Sequence, residues 1–408
     1  MNCGLLGRKL AHSYSPQIHR ELGDYPYILF EKEPEEVADF LKSGAFDGLN
    51  VTIPYKKTVL PYCDELSPAA VRLGAVNTIV RRNDGTLIGH NTDFFGFTAM
   101  VRRSGLNIAG KKALVLGSGG AANTAIAVLK EFGAQVITIS RSGENNYTNL
   151  HLHRDAALIV NATPVGMYPN NGAAPVNIND FPQLEGVLDM IYNPARTRLL
   201  MDAEQKGLVA VNGLLMLVAQ AKESAEWFTG SKISDDVIPR IESLLKREME
   251  NIILIGMPGC GKSTVGTILS NQTAKKLVDA DEEIAKRVGC DIPTFLNAEG
   301  EAAFRELETQ VLTDICKHSG LIISTGGGCV TRQENYELLH QNGRIFCLER
   351  DLAHLPVDGR PLSQATGLTD LYHIRKPLYD RFADHHIDNN STAEATASAI
   401  LKLWEECL

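Results

Sequence analysis

The sequence contains no long apolar run, no CxxC pair, no basic excess and no low-complexity tract. Each absence removes a class of protein. No stretch approaches the roughly 20 apolar residues of a membrane-spanning helix, and MNCGLLGRKLAHSYS at the start turns polar too soon for a secretory signal. The eight cysteines, Cys3, Cys63, Cys260, Cys290, Cys316, Cys329, Cys347 and Cys407, are scattered. That spacing suits neither a zinc site nor a disulfide framework and points to a reducing, cytoplasmic setting. The net charge is −9, so nothing favours the counterion release that drives nucleic-acid binding. Gly/Ser/Pro-rich linkers and internal repeats are also missing. What remains is a globular chain of 408 residues, too long for one ordinary core and predicted to hold two or three domains.

Two glycine-rich loops organise that chain. ALVLG at 113–117 reads as a short apolar strand, AANTAIAVLKEFG as a helix closed by glycine, and QVITIS at 135–140 as a β-branched strand. Together they predict a βαβ unit. The turn GSGGAA at 117–122 fits G-x-G-x-x-A through Gly117, Gly119 and Ala122. Gly117 permits the tight turn, Gly119 lets backbone approach a pyrophosphate, and a small third residue allows close helix–strand packing. Gly117, Ser118, Gly119, Gly120 and Ala121 are therefore the candidate dinucleotide contacts. Arg141 stands at the tip of the second strand, where an NAD site usually carries an acid. A guanidinium there suits a 2′-phosphate, which favours NADP(H).

The same grammar restarts with the strand NIILIG at 251–256, which feeds GMPGCGKST. Gly256, Gly261, Lys262 and Ser263 complete a G-x-x-x-x-G-K-S phosphate loop. Its amides cradle phosphates, with Gly259, Cys260, Gly261, Lys262, Ser263 and Thr264 as candidate ATP contacts. Lys262 reaches the β- and γ-phosphates, and Ser263 offers an oxygen to Mg²⁺. Downstream, Asp279 and Asp281 lie two apart at the end of a predicted strand. Arg305 and Glu308 share one helix face. Gly326, Gly327 and Gly328 end a buried strand (LIIST, 321–325), where only bare backbone approaches a ligand closely. Arg360 and Arg375 follow. Two arginines, an aspartate and glycine amides suit an acceptor that carries a carboxylate and hydroxyls.

Four polar stretches in the first half are less telling one by one: HSYSP (12–16), NVTIPYK (50–56), GAVNT (74–78) and NTDFFG (91–96). Lys56 alone reads as a solvated lysine, and Asp93 as a helix N-cap. In their order and spacing, with NATPVGM (161–167), DMIYNPARTRLL (189–200) and NGLLMLVAQA (212–221), they resemble shikimate dehydrogenase over nearly the first 248 residues. The resemblance implies that Ser13 and Ser15 bind the substrate carboxylate and that Lys56 and Asp93 form the catalytic pair. It also implies that Thr52, Asn77, Tyr192 and Gln220 hold the ring and its hydroxyls. Residues 251–392 resemble shikimate kinase. That resemblance implies that Arg305 and Arg375 clamp the shikimate carboxylate, Asp281 engages hydroxyls, Asp279 sits near the metal, and Arg360 belongs to the lid over ATP.

Three departures from the family patterns stand out. The arginine at 141 lacks the second basic residue of Asn-Arg-Thr-x-x-Arg. Arg20 stands where asparagine is usual. The segment ERDLAHLPVDGRPLSQATG is short before Arg360 and poor in basic residues. The histidines of HLH (151–153) and DHHID (384–388) lack partner spacing for a metal and read as loop residues. Phe94 and Phe95 read as packing.

The sequence therefore predicts an α/β protein in three parts. Residues 1–95 form a substrate-binding domain, 96–248 a Rossmann-type NADP domain, and 249–408 a P-loop kinase domain with a parallel sheet. The implied activities are NADPH-dependent reduction of 3-dehydroshikimate and Mg-ATP-dependent phosphorylation of shikimate, with these small molecules as substrates and neither nucleic acid nor membrane as a partner. Two alternatives remain: a quinate/shikimate dehydrogenase of broader substrate use, and a kinase-like half that binds nucleotide only to regulate.

Overall fold

The computed structural model describes residues 1–10, 13–355 and 367–406. The chain divides into two compact units. The first comprises Met1–Val165, Ala174–Tyr192 and Leu199–Glu242, and the second Gly166–Ala173, Asn193–Arg198 and Ser243–Leu408.

The first unit contains two sheets. Strands β1 (Cys3–Gly7), β2 (Tyr27–Glu31), β3 (Gly48–Val51), β4 (Glu65–Leu66), β5 (Thr78–Arg81) and β6 (Leu87–His90) order as β2-β1-β3-β5-β6-β4. β1 runs parallel to β2 and β3, whereas β5 is antiparallel to β3 and β6. The second sheet holds β7 (Lys112–Leu116), β8 (Gln135–Ile139), β9 (Leu158–Asn161), β10 (Gly186–Asp189) and β11 (Val209–Val211), all parallel, in the order β11-β10-β9-β7-β8. Its β7 strand is apolar on both faces because helices cover both. Ala113 and Val115 pack with Phe97, Met100 and Val128, while Leu114 and Leu116 pack with Ile139, Val187 and Leu199. Each such buried large aliphatic side chain contributes about 1.5–3 kcal/mol. The predicted βαβ unit is present as β7, the helix Gly120–Glu131 and β8.

The second unit is built on β12 (Asn251–Gly256), β13 (Lys276–Asp279), β14 (Leu321–Ser324), β15 (Gly343–Glu349) and β16 (His385–Asp388). They form a parallel sheet of order β13-β14-β12-β15-β16. In each parallel sheet the glycine loop follows the strand beside which the chain order reverses, β7 in one and β12 in the other. Crevices at that switch point are where open α/β sheets bind ligands. The fold class is thus the predicted one.

Candidate active sites

In the first unit, Lys56 follows β3 and Asp93 opens the helix Asp93–Ser104, directly after β6. The free amides and dipole of that helix favour a carboxylate at its start. Lys56 Nζ donates to Asp93 Oδ2 at 2.6 Å, with both side chains partly shielded from solvent. Asn77 Nδ2 donates to Asp93 Oδ1 at 3.0 Å and lies 3.4 Å from Gln220 Oε1, so Asp93 is held from two sides. Ser13 Oγ accepts from the Ser15 amide at 3.2 Å. Buried Ser15 is hydrogen-bonded to the Tyr27 hydroxyl, and the Tyr27 hydroxyl donates to Asn50 Oδ1 at 2.7 Å. Burial pushes the phenols of Tyr27 and Tyr192 up, so both act as neutral hydrogen-bonding groups. Tyr192 meets the Tyr14 ring edge-on at 6.1 Å. Thr52, half-buried, ends the strand region, and its backbone N–H donates to Leu6 O at 2.9 Å.

The dinucleotide loop has the required geometry. Gly117 adopts φ 113°, a conformation that favours glycine, and an added Cβ would press on Ala162 O at 3.0 Å. Ser118, Gly119, Gly120 and Ala121 line the turn, and the space beside Gly119 and Gly120 is open. Ala122 is fully buried against the sheet, as its size predicts. Arg141 lies exposed just beyond β8.

In the second unit the phosphate loop and the predicted acceptor residues line one cavity of ≈ 700 Å³. Gly259 and Gly261 adopt φ 79° and 97°, which turns the loop into the helix Lys262–Thr273. Lys262 Nζ donates to Gly256 O at 2.9 Å and Met257 O at 3.1 Å. Thr264 is exposed on the first turn, while Cys260 is buried and its carbonyl accepts from Asn389 at 2.5 Å. Ser263 Oγ donates to Asp279 Oδ2 at 2.6 Å. The other Asp279 oxygen caps the helix Ala280–Val288, which fixes the carboxylate orientation.

The acceptor end is equally tied together. Arg305, on the helix Ile292–Ile315, donates to Glu308 Oε2 at 2.7 Å, and Glu308 is fully buried. Arg375 donates to Gly327 O at 3.1 Å. A Cβ on Gly328 would collide with the Arg305 guanidinium, and one on Gly326 would approach Glu308 Oε1 at 2.6 Å and Asp281 Oδ1 at 2.8 Å. Burial first, then the Glu308 and Asp279 charges, raise the Asp281 carboxyl to about 6. Burial also raises Glu308, against the pull of Arg305. Arg360 lies outside the described residues.

Several contributors are not apparent from sequence. Tyr379, one helical turn after Arg375, donates to Gly327 O at 2.5 Å, and its i+4 spacing was the available signal. Asn50, Thr78, Thr92 and Ser224 form a buried polar cluster under Asn77. His386, expected to lack carboxylate partners, has Glu349 at 3.0 Å and Asp380 at 3.6 Å. Lys376 pairs with the same two carboxylates, so the group is an ion-pair cluster on the second unit. His153 bonds Asn145 at 2.9 Å.

Comparison with known proteins agrees with this geometry. The family described as shikimate dehydrogenase substrate binding domain matches residues 5–79, and the family described as shikimate kinase matches residues 258–405. A relative from Clostridium perfringens strain 13, shikimate dehydrogenase (NADP(+)), is 35% identical over 265 residues, covering 60% of this chain and 97% of its own length. The crystal structure of shikimate dehydrogenase 1 from Peptoclostridium difficile is 37% identical with a TM-score of 0.56, covering 60% of this chain and 98% of that one. The Thermus thermophilus shikimate 5-dehydrogenase, in complex with NADP(H) and shikimate, is 32% identical with a TM-score of 0.54, covering 59% and 98%. The chain therefore belongs to the shikimate dehydrogenase family, and the same polypeptide carries a shikimate kinase domain.

Proposed function

We propose that the chain catalyses two consecutive reactions: reduction of 3-dehydroshikimate to shikimate with NADPH, then phosphorylation of shikimate at its 3-hydroxyl with Mg-ATP. The observation that carries the pairing is the cavity of the second unit. It holds a phosphate loop beside two arginines and an aspartate, in a chain whose other part spans shikimate dehydrogenases nearly end to end. Functionally the parts divide as residues 1–95, 96–248 and 249–408.

In the first reaction NADPH supplies the hydride. It would be held by Gly117, Ser118, Gly119, Gly120 and Ala121, with Arg141 toward its 2′-phosphate; the open space beside the glycines fits a pyrophosphate. Ser13 and Ser15 hold the substrate carboxylate, and Thr52, Asn77, Tyr192 and Gln220 hold the ring. Lys56 then gives its Nζ proton to the oxygen of the C3 ketone as that carbon is reduced. Asp93, 2.6 Å away, keeps Lys56 oriented toward that oxygen.

In the second reaction Arg305 and Arg375 hold the carboxylate of shikimate, Asp281 accepts from its hydroxyls, and Gly326, Gly327 and Gly328 let it approach the backbone. The 3-hydroxyl oxygen bonds to the γ-phosphorus of ATP, the bond to the β–γ bridging oxygen breaks, ADP leaves, and the hydroxyl proton is released to water. Gly259, Cys260, Gly261, Lys262, Ser263, Thr264 and Arg360 hold the nucleotide. The paired oxygens of Ser263 and Asp279 fit a hard divalent cation, and Mg²⁺ there would neutralise phosphate charge. Positioning and charge neutralisation suffice for such a transfer.

No helix among the described residues is long and apolar enough to cross a membrane, and we place the enzyme in the cytoplasm. Separate Lys56→Ala and Lys262→Ala variants test the whole reading. Each should abolish one activity and spare the other, and a variant that loses both or neither contradicts it.

A further inference from the structure

We propose that Ser224 is a positioning residue for the reduction. Its hydroxyl joins the Ser15 end of the site to the Asn77–Asp93–Lys56 end through one buried hydrogen-bond relay. This rests on the reading of Lys56 and Asp93 as the reacting pair.

Serine inside a helix is a poorer choice than alanine, and it usually turns its hydroxyl back to the carbonyl four residues earlier. Ser224, fully buried in the helix Leu214–Thr229, does so: Oγ donates to Gln220 O at 2.9 Å. That bond uses its only proton and leaves two lone pairs. Three groups compete for them. Asn50 Nδ2 donates at 2.8 Å, Thr78 Oγ1 lies at 2.8 Å and Thr92 Oγ1 at 3.0 Å. One hydroxyl on a single helix thus collects β3, β5 and the start of the Asp93 helix, whose residues are far apart in sequence.

Both arms of the relay end on site residues. On one side Asn50 Oδ1 accepts from Tyr27, which is hydrogen-bonded to Ser15. On the other, the Thr92 amide donates to Asn77 Oδ1 at 2.8 Å, Asn77 Nδ2 donates to Asp93 Oδ1 at 3.0 Å, and Asp93 Oδ2 accepts from Lys56 at 2.6 Å. Asn50, Asn77, Thr78 and Thr92 are all buried. A core that needed only cohesion would be filled with apolar groups at lower cost, because a buried polar cluster is tolerated only when its members satisfy one another. The Thr92 amide fixes which way the Asn77 amide faces Asp93, and the Thr78 and Thr92 hydroxyls, 3.1 and 3.2 Å from Asn77 Oδ1, tie Ser224 to it.

Removing the hydroxyl should leave the fold standing. In Ser224→Ala, Asn50 Nδ2 keeps Thr78 Oγ1 at 3.1 Å and Asn77 O at 3.3 Å. Thr78 Oγ1 and Thr92 Oγ1 lose one shared partner and keep the other, Asn77 Oδ1, at 3.1 and 3.2 Å, so their pull on the Asn77 amide, and through it on Asp93, changes. The steady-state kinetics of the full chain give the test. Ser224→Ala should lower kcat for reduction about tenfold, with the phosphorylation rate unchanged and KM for 3-dehydroshikimate changed by less than about twofold, the sign that the first unit still folds around its substrate. The decisive arm is the same substitution in an Asp93→Asn background. If Ser224 acts through Asp93, the second loss is absent, because the two changes disrupt one unit. A tenfold loss repeated in full there, or an unchanged kcat in Ser224→Ala alone, overturns the proposal. Thr92→Val offers a second route to the same relay: it should lose about the same tenfold, and Thr92→Ser, which keeps the hydroxyl, should recover it. If Asp93→Asn by itself leaves reduction intact, the reacting-pair reading fails first, and the relay with it.

Discussion

Asp281→Asn should make the second unit more stable while stopping phosphorylation, and the gain should depend on pH in a defined direction. The Asp281 carboxyl sits at about 6 rather than at the ordinary 3.8, first because of burial and then because of the Glu308 and Asp279 charges. Below about pH 3.8 the group is protonated whether the chain is folded or unfolded, and it contributes nothing to the pH dependence. As pH rises from there to about 6, the unfolded chain releases the proton while the folded one retains it, so folded stability falls. Above about 6 the full penalty stands. Raising a carboxyl from 3.8 to about 6 corresponds to about 3 kcal/mol. Asparagine has nearly the same shape and never ionises. Asp281→Asn should therefore stabilise the unit by up to about 3 kcal/mol at about pH 8, with the gain shrinking toward zero near about pH 4. The chain has two tryptophans, and Trp404 is buried in the second unit. Urea unfolding followed by Trp404 fluorescence in a Trp227→Phe background reads that unit. A gain that is the same at both pH values, or a loss of stability at the higher one, refutes the reasoning.

Other substitutions probe the same sites by activity. Lys56→Ala should lower the reduction rate by about 10³-fold without changing phosphorylation, because it removes the proton donor and leaves the second unit untouched. Gly328→Ala should lower phosphorylation by about 10²-fold, because its methyl displaces the Arg305 guanidinium; shikimate titrations would show the loss in KM as well as kcat. Arg141→Ala should raise KM for NADPH about tenfold and leave NADH nearly unaffected, since only the 2′-phosphate loses a partner; equal effects on both cofactors would remove Arg141 from that role.

The legible parts of this protein were those written in local chemistry. Gly117, Gly259 and Gly261 were readable because their positive φ values are a backbone requirement that few other residues meet. The Arg305–Glu308 pair was readable from helical spacing alone. β7 and β12 were readable as buried parallel strands from their unbroken apolar runs. Lys56 and Asp93 were different. Nothing local marked either of them, and only the order of several motifs did, because the pair forms across 37 residues by sheet pairing. Asn389 holds the Cys260 carbonyl from 129 residues away, and Ser224 gathers partners from β3, β5 and the Asp93 helix. Such contacts follow from topology, which short windows of sequence do not encode. The His386 cluster has the same cause: its carboxylates come from β15 and from the helix Leu368–Phe382.

The central claim, that one chain carries out both steps, is tested most directly by a single incubation. The full chain is mixed with 3-dehydroshikimate, NADPH and Mg-ATP, and the products are read by mass spectrometry. The account predicts shikimate 3-phosphate, with NADPH and ATP consumed in equal amounts. Shikimate that accumulates without phosphorylation, or no conversion at all, would contradict it.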